Sequence, residues 1–82
     1  MADTVEQELL SFVSSRVANG GELASDTDLL EDGLLDSLLI MDLVAHVEGR
    51  YGVRLENTDI APANFRTVER LAGLVAVRRR PR

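Results

Sequence analysis

At 82 residues the chain suits one domain with a modest core. It has no cysteine, so no disulfide or cysteine-based zinc site reinforces it, and any thiol it uses must come from outside. Hydrophobic residues make up 45%, too many for a disordered chain, and with only three aromatics the core has to be aliphatic. Residues 1–48 hold eleven acids against one arginine, and residues 49–82 hold eight arginines against three acids. The acidic half disfavours nucleic acid and favours a partner with a basic docking surface.

The first residues, Met1 to Glu6, are acidic and contain no apolar run, so a secretory signal is not expected. The longest apolar stretch, Leu71 to Val77, is interrupted by Gly73 and too short to span a bilayer. The expectation is a cytoplasmic monomer, a single domain over residues 1–82, that contacts neither membrane nor nucleic acid.

The apolar pattern is helical. Thr4 is the expected cap of a first helix, with Glu6 and Glu8 near its positive end. Val5, Leu9, Phe12, Val13 and Val17 recur at helical spacing as its buried stripe, and Asn19-Gly20-Gly21 is the expected stop. Residues 22–36 form a long connection in which Leu29, Leu30, Leu34 and Leu35 plug the core while the acids face water. Gly33 permits a tight turn there.

A second helix is predicted from about Asp36, as N-cap, to Arg50, with Ser37 its first helical residue. Around its axis Ile40, Leu43, Val44, Val47 and Tyr51 share one side. Leu38, Met41 and Ala45 cluster on roughly the opposite side, beside Asp42 and Glu48. One stripe faces the core and the other is left for solvent or a partner.

Gly52 closes this helix, and Val53-Arg54-Leu55 is extended or turn-like. A short helix lies within residues 57–65, interrupted near Pro62 and anchored by Ile60 and Phe65. Thr67 caps the last helix, whose buried stripe is Val68, Leu71, Ala72 and Val75, and the Arg-rich tail 78–82 is expected to fray. The whole reads as an all-α bundle of three longer helices and one short one, with a long loop between the first two.

Ser37 is the residue most open to chemistry. A serine at a helix start commonly serves as cap or filler. Here it follows an acid, heads an amphipathic helix with a spare apolar stripe, and sits in a run from Glu22 to Glu48 that has eight acids and no arginine or lysine. The chain offers nothing to activate it. His46, the single histidine, lies about two and a half turns further along the same helix, out of reach as a base. A Ser-His-Asp triad is therefore not expected, and no catalytic residue is assigned. Asp26-Thr27-Asp28 invites a calcium loop, but an EF-hand counted from Asp26 needs glycine and glutamate where Glu31 and Ser37 stand, so no metal site is assigned.

The segment Asp36-Ser37-Leu38, followed by Asp42-Leu43-Val44, Tyr51-Gly52-Val53 and Asn64-Phe65-Arg66-Thr67-Val68 through Leu71, resembles the acyl and peptidyl carrier protein family. That resemblance implies an acyl-carrier-like four-helix bundle and a non-enzymatic function. It implies that Ser37 carries 4′-phosphopantetheine, transferred from coenzyme A by a phosphopantetheinyl transferase, and that the arm's thiol holds an acyl or aminoacyl group as a thioester. Asp36 would cap the helix, or also help hold the transferase's metal. Leu38, Met41, Asp42, Ala45 and Glu48 would meet partners: the loading enzyme, then acyltransferase or synthase modules. Gly33-Leu34-Leu35-Asp36-Ser37-Leu38 resembles the discrete carriers of small, aminoacyl or D-alanyl groups more than the fatty-acid type. That points to polyketide or mixed polyketide/nonribosomal peptide biosynthesis, a context that nine arginines without a lysine also fit. The alternative is an acidic helical interaction module with no prosthetic arm.

Overall fold

The computed structural model describes residues 4–17 and 23–79. Three α-helices and one 3-10 turn follow in order: α1 (Thr4–Arg16), α2 (Ser37–Tyr51), the 3-10 turn (Pro62–Phe65) and α3 (Val68–Arg79). The described residues include no strand. Leu9 and Val13 of α1, Leu39, Leu43 and Val47 of α2, Phe65, and Val68, Leu71, Ala72 and Val75 of α3 meet in one buried core.

α1 takes in Thr4, which the sequence reading put just outside as the cap, and Glu6 stands in its first turn. Leu9 and Val13 are fully buried, while Val5, Phe12 and Val17 flank the core at its edge. The expected stop at Asn19-Gly20-Gly21 lies outside the described residues.

The start of α2 forms as expected. Asp36 has extended backbone, and its Oδ1 accepts the Leu39 N–H at 2.8 Å. This satisfies one of the orphan donors of the first turn. The helix ends at Gly52, whose φ of 68° is the left-handed conformation that costs glycine least, with its N–H donated to Glu48 O at 3.1 Å.

The centre of α2's buried stripe is Leu39, Leu43 and Val47, with Ile40, Val44 and Tyr51 along one edge. The sequence reading named Leu43 and Val47 together with that edge set and omitted Leu39. Residues 39, 43 and 47 advance only about 40° per step, so they form a continuous row, and the loop and α3 decide which row faces inward.

The loop before α2 is tied down along its length. Leu34 and Leu35 N–H groups both donate to Leu29 O, Leu29 N–H donates to Arg66 O at 2.8 Å, and Glu69 N–H donates to Ser25 O at 3.0 Å. Arg66 Nε reaches Asp28 Oδ2 at 2.7 Å. Leu29 and Leu35 fill the core and Leu34 covers it in part. Leu30 is the correction: it is 43% exposed, because the turn that Gly33 closes (φ 74°, its N–H on Leu30 O) directs Leu29 inward and its neighbour outward.

The short helix is a four-residue 3-10 turn rather than an α-helix. Pro62 starts it, and Thr67 caps the next helix only two residues after it ends, which leaves no room for a second turn. Thr67 Oγ1 accepts the Arg70 N–H at 3.1 Å. Val68, Leu71, Ala72 and Val75 are all buried as expected, and Phe65 is buried completely.

Arg78 and Arg79 belong to α3 and do not fray; residues 80–82 lie outside the description. The reason is the buried Asp59. Its two carboxylate oxygens accept Arg78 Nε and a terminal guanidinium N–H, both at 2.8 Å, and Oδ2 also accepts the Glu56 N–H. This fork locks the end of α3 onto the segment before the 3-10 turn.

Candidate functional site

Gly33 sets the turn, Leu35 drops into the core, and Asp36 caps α2, so Ser37 is delivered at the first helical position. It is exposed, and among the described residues its Oγ has no hydrogen-bond partner. The first helical bond here is Ile40 N–H to Asp36 O, and Asp36's carboxylate takes the Leu39 N–H. The amides of Ser37 and Leu38 thus precede the hydrogen-bonded turns, at the positive end of the helix dipole. A free hydroxyl beside such amides suits an attached phosphodiester.

The second apolar stripe of α2 is open to solvent. Leu38 is 72% and Met41 60% exposed, and Ala45 is exposed beside them. Asp36 and Asp42 border this face. Asp42 stands 3.9 Å from Arg16, a loose pairing between half-exposed groups. Glu48 is less free than its neighbours: its Oε2 accepts the Leu55 N–H at 2.9 Å and ties α2 to the chain leaving it. The structure thus groups Ser37, Asp36, Leu38, Met41, Asp42 and Ala45 at one end of α2 and sets Glu48 apart in a structural bond.

Beside Ser37 a groove of about 400 Å³ opens between the end of α1 and the start of α2. Val17, Leu34, Leu38 and Leu39 form its apolar walls, and Arg16, Asp36 and Asp42 its polar edge. The sequence reading did not mark it, because only the folded loop brings Arg16 to the head of α2.

His46 lies on the seam between α1 and α2. Its ring stacks on Phe12 at 4.2 Å and meets Tyr51 edge-on at 6.1 Å, and its Nε2 is buried without a hydrogen-bond partner among the described residues. Next to it Glu8 accepts the Tyr51 hydroxyl at 2.6 Å and Arg50 at 3.0 Å. Burial pushes the Tyr51 phenol up to about 12, helped by that bond to Glu8, and the same bond holds Glu8 below its ordinary value.

Burial lowers the His46 pKa from 6.5, against the opposing pull of Glu8 and with help from Arg50 and Arg16. The unfolded chain therefore takes up the proton first. This contribution to stability is complete above about pH 6.5 and is lost as pH falls towards the lowered folded value. Melting scans should show the Tm declining as pH falls below about 6.5, while His46→Phe, which keeps the stack, melts at a constant temperature until the carboxylates begin to protonate. Parallel declines in both proteins would contradict this assignment. Glu8, Asp28 and Asp59, all held low, add a second decline only below about pH 4.5.

Comparison with known proteins agrees with this geometry. The family model described as phosphopantetheine attachment site matches residues 7–75. A probable acyl carrier protein, PigG, of Serratia sp. (strain ATCC 39006) is 33% identical over 73 residues, which span 87% of this chain and 84% of that protein. A chain in a crystal structure described as that of an FAD-dependent dehydrogenase superposes with a TM-score of 0.71 at 36% identity, covering 82% of this chain and 97% of that one.

Proposed function

Because the chain belongs to the phosphopantetheine-attachment family of acyl carrier proteins, which are carriers and not catalysts, we propose that Ser37 is the residue that takes the arm. The observation that supports this is the exposed hydroxyl at the capped start of α2, without a hydrogen-bond partner among the described residues. In the attachment step Ser37 Oγ bonds to the phosphorus on the pantetheine side of coenzyme A. The phosphoanhydride bond breaks, 3′,5′-ADP leaves, and the hydroxyl proton passes to a base of the transferase. The arm supplies the terminal thiol this cysteine-free chain lacks, and with it a thioester link to the cargo.

The chain's own residues do the rest. Asp36 holds the helix start in register through Leu39 N–H, so the amides of Ser37 and Leu38 would be the donors nearest an attached phosphate. Asp36 would also approach the transferase's metal with its second carboxylate oxygen, since the cap uses Oδ1. Leu38, Met41 and Ala45 offer a small apolar contact, with Asp36 and Asp42 steering basic partner surfaces onto it. Met41 adapts to differently shaped partners, as a carrier passing cargo along requires.

The pathway we favour is polyketide or mixed polyketide/nonribosomal peptide assembly, with a short acyl or aminoacyl cargo. The Gly-Leu-Leu-Asp-Ser-Leu segment and the likeness to PigG support it. The likeness to a chain crystallised under the description of an FAD-dependent dehydrogenase adds a candidate partner class, a flavin enzyme that oxidises the cargo while it is tethered.

Incubation with coenzyme A and a broad-specificity phosphopantetheinyl transferase should raise the intact mass by one phosphopantetheine. An unchanged mass would favour the arm-free interaction module instead.

A further inference from the structure

We propose that Arg16 is a specificity-determining residue of the docking face. It competes with a partner's cations for Asp42, so surfaces that rely on positive charge alone dock poorly, and surfaces led by an apolar recess for Leu38 and Met41 are favoured. The inference rests on Ser37 carrying the arm, since that makes the head of α2 the face partners must reach. Residues 1–48 contain one arginine against eleven acids, and the fold sets that arginine beside the exposed stripe. It lines the same groove as Asp36, Leu38 and Asp42.

Packing holds Arg16 in this place. Its guanidinium lies over the Phe12 ring, 4.7 Å from the centroid, and Phe12 is itself stacked on His46 of α2 at 4.2 Å. The ring face attracts the cation, so the charge stays on the α2 side of α1 instead of ranging through solvent. Arg16 also stands in the last turn of α1, where the helix dipole favours a cation. The dipole accounts for a positive charge at that helix end, and not for its position against α2.

The pairing with Asp42 is close enough to compete and loose enough to be displaced. The two groups are 3.9 Å apart, too far for a hydrogen bond, and neither side chain makes a hydrogen bond among the described residues. A partner's cation therefore meets at Asp42 a carboxylate whose field is partly cancelled, and it must displace Arg16 to pair there. Half-exposed pairs of this kind are weak, so the expected effect is a few-fold and not all-or-none. Asp36 has no ion pair among the described residues and steers a partner without that competition. Leu38 and Met41 carry the apolar contact, which Arg16 does not weaken.

The test measures kcat and KM for arm transfer from coenzyme A by a broad-specificity phosphopantetheinyl transferase, with the carrier as the varied substrate. Four chains are compared: the parent, Arg16→Gln, Asp42→Asn and the double variant. At low ionic strength Arg16→Gln should lower KM about two- to fivefold without changing kcat. Asp42→Asn should raise KM about twofold more in the Arg16→Gln background than in the parent. General loosening of α1 would not produce that coupling. Salt at about 0.5 M should remove most of the difference between the four chains. An unchanged or raised KM for Arg16→Gln, or equal effects of Asp42→Asn in both backgrounds, would overturn the proposal and leave the carrier reading intact. A parent chain that gains no mass would overturn both.

Discussion

Ser37→Ala is expected to take no arm at all under conditions that modify the parent chain completely, and to melt at the same temperature. Both halves follow from one structural fact: the hydroxyl is exposed and has no hydrogen-bond partner among the described residues. The cap of α2 is Asp36, not Ser37, so removing the oxygen leaves the helix start intact. Alanine is also the best helix former, so α2 is not weakened. Intact-mass measurement and a thermal scan on the same sample check the pair. A variant that still gains mass would place the arm elsewhere. A variant whose Tm falls by more than about 4 °C, which corresponds to roughly 1 kcal/mol in a domain this small, would show that the hydroxyl has a structural duty.

Phe65→Ala is expected to have the largest effect on stability. Phe65 closes the 3-10 turn and is completely buried among residues from the three helices. It is the largest side chain in the core, and aliphatic neighbours around it cannot collapse to fill the space it leaves. Truncations of this kind cost about 3–5 kcal/mol. Natural domains have a margin of roughly 0.05–0.15 kcal/mol per residue, and small ones bury proportionally less surface. The Tm measured by far-UV circular dichroism should fall by more than about 12 °C. A smaller fall would mean that the 3-10 turn is not part of the cooperative core. Loss of arm attachment by this variant at temperatures where it remains folded would contradict the separation of core from site.

Much of this was legible in the sequence, because the signals involved are local. Asp36, Gly52 and Thr67 mark helix ends through chemistry that acts within three or four residues, and all three occupy the roles their types suggest. The buried stripe of α3 is readable because a 3.6-residue period needs no partner to reveal it. The candidate attachment point was legible through the resemblance of Asp36-Ser37-Leu38 to the carrier family, since a serine between a cap and an apolar face does not by itself specify an arm.

What could not be read depends on distant residues meeting. Arg78 lies 19 positions from Asp59, Arg66 lies 38 from Asp28, and Tyr51 lies 43 from Glu8. A chain with many acids and arginines does not announce which of them pair. The Asp59 fork is why a tail expected to fray is helical through Arg79. Leu30 lost its expected place in the core on similar grounds. Four leucines in a loop look alike until hydrogen bonds to Arg66 and across the Gly33 turn choose which of them points inward. The groove at Arg16 arises only when α1 is brought against the head of α2, so no local pattern marks it.

The most direct test digests the enzymatically loaded protein and locates the added group by fragmentation mass spectrometry. Phosphopantetheine should be found on Ser37 alone, on the peptide that contains Asp36 and Leu38. Finding it on any other hydroxyl of the chain would contradict the assignment of the carrier site to the start of α2.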